Sequence, residues 1–132
     1  MLESVFLNLV RGNRINQYLR LKLENGAAPK YSRDYSYIEI PAKEFFLPSE
    51  EKKVTKVLRN QHVQVIPACT VDVQEGYRVL VKTNPKLQEI ATCPALFLLD
   101  HKEGEQVSFY ATFRKDFEIS ELEWAVRIYM IS

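Results

Sequence analysis

Apolar residues recur at every second position over most of the chain, the spacing of strands that turn one face to a core and the other to water. Leu19, Leu21 and Leu23 alternate with Arg20 and Lys22. The run Ser4 to Val10 is divided from Ile15 to Leu23 by Arg11-Gly12-Asn13-Arg14, a group with turn chemistry, and together they predict an N-terminal hairpin. Over Leu2 to Val10 the alternation is not strict, so an amphipathic helix is the rival reading of an extension at residues 1–18. Tyr35 to Pro41 alternates, and Phe45-Phe46-Leu47 runs into Pro48, which predicts two short strands. Val63 and Val65, then Val71 and Val73, lead to Glu75-Gly76 and to Tyr77–Lys82 with Val79 and Val81, read as a second hairpin. Ala95–Leu99, Gln106–Phe113 and Trp124–Ile131 complete an all-β set with turn signals between its members, the signature of a sandwich or barrel.

Residues 49–60 break this pattern. Ser49 is a candidate N-cap, Glu50 and Glu51 suit a first turn, and Val54, Val57 and Leu58 recur at helical spacing. One short helix or an extended charged loop is expected as an insertion there. Lys52, Lys53, Lys56 and Arg59 make this the only basic run, a candidate nucleic-acid contact to be weighed against a plain solvated face.

At 132 residues and 46% apolar, the chain has the size and the material for one domain with a real core. No apolar stretch approaches the roughly 20 residues that cross a bilayer. The N-terminus lacks a basic region and a small-residue cleavage site, so the expectation is a soluble protein that stays inside the cell. Eighteen Lys and Arg against seventeen Asp and Glu leave a net charge of +1, which gives no global field for nucleic acid or an anionic membrane. Cys69 and Cys93 are read as reduced core residues, and His62 and His101 are too far apart in sequence for a zinc pattern, so no metal site is expected.

Taken in order, the segments resemble the trimeric dUTPase family. Leu21-Lys22-Leu23-Glu24-Asn25-Gly26-Ala27-Ala28-Pro29 is similar to the family's opening strand with its Glu-Asn-Ala…Pro sequel, and Ser36-Tyr37-Ile38-Glu39-Ile40 falls where the Gly-Tyr-Asp-Leu motif lies. Val65-Ile66-Pro67-Ala68 and Val71–Tyr77 resemble Val-Pro-Thr-Gly and the Pro-Glu-Gly-Tyr hairpin. Leu99–Glu105 resembles the third motif, and Phe117–Val126 the fourth. The resemblance implies a jelly-roll-like β-barrel of mainly antiparallel strands, a homotrimer, and a magnesium-assisted attack on dUTP or dCTP.

The chemistry of that attack requires a positioned water, a base and cations on the phosphate chain. The family's Arg-Ser phosphate motif is replaced by Val81-Lys82-Thr83-Asn84-Pro85-Lys86-Leu87. Lys82 and Lys86 bring charge but cannot fork onto two oxygens as arginine does. The first-motif Asp gives way to Ile38 or shifts to Glu39, the third-motif Tyr has no counterpart near Lys102 and Glu103, and the Gly-rich tail of the family is not expected after Ser132. Asp100 aligns with the family's water-activating Asp, with His101 beside it; ordinary turn chemistry is the competing account of both. Tyr77, Lys82, Asn84 and Lys86 are the candidate substrate contacts. Tyr31, Tyr35 and Tyr37 with Lys30 and Arg33 could stack bases, although tyrosines alternating on a strand also pack a sheet face.

Three functions follow as expectations. The first is a non-catalytic binding or structural module of viral or phage derivation, with no cofactor, a protein partner of unknown identity, and a place in the cytoplasm or virion. The second is a divergent nucleoside triphosphate hydrolase or deaminase that uses Mg2+ and Asp100. The third is a nucleic-acid-binding β-domain.

Overall fold

The computed structural model describes residues 2–11, 14–24, 27–34, 36–48, 52–73, 75–99 and 102–131. Its strands in chain order are β1 (Leu2–Arg11), β2 (Arg14–Glu24), β3 (Lys30–Tyr31), β4 (Tyr37–Ile40), β5 (Ala42–Leu47), β6 (Lys52–Lys53), β7 (Lys56–Val57), β8 (His62–Pro67), β9 (Cys69–Val73) and β10 (Arg78–Thr83). An α-helix, α1 (Pro85–Ile90), follows, then β11 (Ala91–Thr92), β12 (Leu96–Leu98), β13 (Lys102–Gln106), β14 (Phe109–Phe113), β15 (Phe117–Glu118), a 3-10 turn at Ile119–Glu121, and β16 (Val126–Ile131).

These strands form sheets of order β1-β2-β9-β13, β12-β10-β16-β4-β3 and β11-β14-β8-β5-β6, with a small β15-β7 ladder. Every pairing among the described residues is antiparallel. The N-terminal segment is a hairpin and not a helix: Val5 pairs with Leu21 and Leu7 with Leu19, with a register shift between Asn8 and Val10 where the alternation falters.

Long strands pass from one sheet to the next through single bends. Pro41 lies between β4 and β5, Ala68 between β8 and β9, and Val107-Ser108 between β13 and β14. The bends are tied together: the Ala68 N–H donates to the Pro41 carbonyl at 3.0 Å, and the Gln106 side-chain amide donates to the carbonyls of Cys69 at 3.0 Å and Pro67 at 3.3 Å. Corners of this kind let strands switch sheets around one core. Alternate residues of all the sheets meet in that core, among them Val71 and Val73, Ile38 and Ile40, Val63 and Val65, Phe109 and Phe113.

One expectation is corrected, and one of two alternatives falls away. Val71–Val73 and Tyr77–Lys82 do not form a hairpin: β9 pairs with β2 and β13, whereas β10 pairs with β12 and β16. The turn is real, with Gly76 at φ 83°, a conformation that suits glycine. A tight turn fixes a chain reversal but not the partner, and here it joins two sheets. Nor does a helix form over the described part of residues 49–60. Lys52-Lys53 pairs with Phe46-Leu47, and Lys56-Val57 with Phe117-Glu118. Val57 is buried and Val54 packs against the core from this extended arrangement, while Leu58 is 46% exposed.

The helix lies at residues 85–90 instead. Asn84 caps it, accepting from the Leu87 N–H at 3.0 Å, and Pro85 occupies the first turn, where its missing N–H costs nothing. Leu87 anchors it in the core. No helix among the described residues is long and apolar enough to cross a membrane.

Candidate functional site

The stretch Val81–Leu87 leaves β10, passes through Asn84 and becomes α1. The cross-strand register sets what surrounds it. Lys82 lies opposite Arg127, Arg127 opposite Glu39, and Glu39 opposite Lys30, so one row of charged side chains crosses the outer face of the β10-β16-β4-β3 sheet. A second row, Phe97, Leu80, Tyr129 and Tyr37, runs beside it. The intervening residues, Val79, Val81, Ile128 and Ile38, point the other way and are buried.

Most cations here already have a neighbour. The Arg127 Nε–H donates to Glu39 Oε1 at 2.7 Å, and the guanidinium carbon sits 4.5 Å from the centre of the Tyr37 ring. Both side chains are largely covered, 26% and 15% exposed, which makes this the one tight pair of the face among the described residues. Partial burial pulls the Arg127 pKa down, and the bond to Glu39 leads the interactions that leave it raised. Glu123 lies between Lys30, at 3.4 Å, and Lys86, at 3.6 Å. The bond from Lys30 lowers the pKa of the Glu123 carboxyl and keeps it ionised. These two contacts are solvent-exposed, so each is worth little in stability, but they set the local charge. Lys30 also stands 4.4 Å over the Trp124 ring, and Lys82 5.8 Å from that of Tyr129.

Of the expected substrate contacts, the structure brings Lys82, Asn84 and Lys86 to one corner. Asn84 is 3% exposed, and its carboxamide is committed to the chain: the oxygen caps α1 and the nitrogen donates to the Trp124 carbonyl. Lys86 faces Glu123, and Tyr77 is half-buried against the core. Asp100 and His101 lie outside the described residues. Next to them in sequence, β13 pairs with β9, and the Gly104 N–H donates to the Asp72 carboxylate.

The basic run is dispersed. Lys52 and Lys53 sit on β6, Lys56 on β7 and Arg59 in the turn after it, where its N–H donates to Asp116 at 2.6 Å; all four are exposed. Lys53 lies 3.9 Å from Glu44. Tyr37 is tilted against Tyr129 with centroids 5.2 Å apart, so it packs the sheet face, whereas Tyr31 is 44% exposed and Tyr35 lies outside the described residues. Both cysteines are free thiols; burial pushes Cys69 up to about 12 and Cys93 up to about 11, which keeps them protonated and poor nucleophiles. Among the described residues no three His, Cys, Asp or Glu side chains converge on a metal-sized space.

Sequence reasoning missed the Glu39–Arg127 pair and the Lys30–Glu123–Lys86 cluster. Glu39 and Arg127, 88 residues apart, meet through the register of β4 and β16, and Lys30 and Glu123, 93 apart, meet where β3, the segment before β16 and α1 come together.

The architecture is an antiparallel β-fold of the dUTPase type. The solved structures it matches include mutants of the Staphylococcus bacteriophage 80alpha dUTPase with dUpNHpp. One has a TM-score of 0.62 at 9% identity over 86% of this chain and 88% of that one, and another 0.61 at 10% over 86% and 81%. Sequence comparison finds no matching family and no matching curated protein.

Proposed function

We propose that this chain is a non-catalytic binding or structural module built on a dUTPase-like scaffold, assembling as a homotrimer and derived from a virus or phage. The observation that carries the reading is the state of the corner where triphosphate would be gripped. Lys86 and Lys30 flank Glu123, Arg127 is bonded to Glu39, and Asn84 caps a helix. A phosphate chain drawn to this corner would meet the carboxylate of Glu123, and it would have lysine ammonium groups where a bidentate fork is needed. The phage dUTPase neighbours support the scaffold and the derivation. Free thiols, Cys69 buried and Cys93 partly so, suit a reducing interior, where the protein would act on a macromolecular partner.

Calorimetric titration with dUTP and with dUMP, each with magnesium, tests the reading. The two nucleotides are expected to bind alike, since the extra phosphates find no grip. A gain of tenfold or more for dUTP would overturn it. A solution mass near three times 15.4 kDa is the assembly it requires.

A further inference from the structure

The outer face of a different sheet carries a cavity of about 290 Å³, at the lower end of small-ligand pockets. Its walls and floor come from three adjacent strands. Phe46 of β5 lies opposite Gln64 of β8, and Gln64 opposite Tyr110 of β14, so the two rings stand either side of the carboxamide. Two strand spacings place their backbones roughly 10 Å apart. Aromatic rings stack or tilt together at centroid distances of about 4.5–7 Å, so this span admits one planar ring between them. Ile66 and Pro48 close the space.

Two features point to an occupant. Tyr110 is 46% exposed, yet its ring is held: His62 stacks on it at 5.2 Å and 8°, and His62 Nδ1 lies 3.1 Å from the Thr112 hydroxyl. Gln64 is only partly exposed, and its side chain lines the cavity between the two rings. It thus offers a donor and an acceptor side by side, the arrangement that pairs with the edge of adenine. Lys53, the register partner of Phe46, is exposed but stands 3.9 Å from the Glu44 carboxylate, so the strand edge beside Phe46 carries mixed charge and recognition falls to the rings and the carboxamide.

We infer that this cavity binds one unstacked nucleobase, of a free nucleotide or of a single strand, held between Phe46 and Tyr110 and read by Gln64. The site is remote in register from the Lys82–Lys86 corner and does not depend on the reading given for it.

Titration of the full chain with adenosine 5′-monophosphate, with a short oligodeoxyadenylate, and with ribose 5-phosphate tests the inference. Both adenine ligands are expected to bind and ribose 5-phosphate not to. Phe46→Ala and Tyr110→Ala should each weaken adenine binding about tenfold, as loss of one stacking wall does. Gln64→Leu, close in size and without the amide, should keep the fold and lose the preference for adenine over other bases. Per-base affinity equal in the two adenine ligands identifies a free nucleotide; much tighter, salt-sensitive binding of the oligomer identifies a single strand. Equal binding of ribose 5-phosphate, no binding of either adenine ligand, or full affinity in folded Phe46→Ala and Tyr110→Ala would overturn the site.

Discussion

Phe113→Ala is expected to destabilise the protein by about 3–5 kcal/mol, the cost of removing a fully buried aromatic ring and leaving a cavity. Phe113 is 1% exposed, and its ring lies 5.0 Å from that of Phe117, tilted by 34°. Three pieces of chain depend on this position. Phe113 pairs with Ala91 of β11, its N–H donates to the Gln61 carbonyl at 3.0 Å, and its carbonyl accepts from Asn60 at 2.8 Å. The backbone bonds survive the truncation, but the ring that packs β14 against the small β15-β7 ladder does not. Small domains hold roughly 5–15 kcal/mol in total, so the loss is a large share. Urea unfolding at fixed protein concentration checks it; a change under about 1 kcal/mol would mean that Phe113 is not a core residue.

Asn84→Ala is expected to cost about 2–4 kcal/mol, the sum of a lost helix cap and a carbonyl left without its donor. The side-chain oxygen holds the first turn of α1 through Leu87, and the nitrogen reaches the carbonyl of Trp124, tying the helix to the start of β16. Asn84→Ser retains the capping oxygen and should recover about 1 kcal/mol of this. Equal losses in the two variants would assign the whole effect to the Trp124 contact, and a loss below about 0.5 kcal/mol in Asn84→Ala would contradict both roles.

Much of the fold was legible because period-2 alternation is a local signal. Leu19 to Leu23, Val63 to Val65 and Val126 to Ile128 each form strands where alternation places them. Partner choice was not legible, because register depends on residues far apart in the chain. Glu75-Gly76 looks the same whether it closes a hairpin or joins two sheets, and Gln106–Phe113, one alternating run in sequence, is two strands that bend at Val107-Ser108 into different sheets. In Lys52–Arg59 the helical spacing of Val54, Val57 and Leu58 was outweighed by pairings with β5 and β15. The true helix carries a usable sign, an Asn followed by Pro, but it sits inside a lysine-bearing stretch whose residue types also suit ligand contacts. The candidate corner was legible as charge, through Lys82 and Lys86. Its pairings with Glu123 and of Glu39 with Arg127 were not, since no sequence spacing marks contacts between segments tens of residues apart.

The central claim, a dUTPase-like fold without the catalytic grip of a triphosphatase, is tested most directly by measuring pyrophosphate release from dUTP and dCTP in the presence of magnesium. The account predicts no release above the rate without protein. Steady turnover that disappears in Asp100→Asn would contradict it.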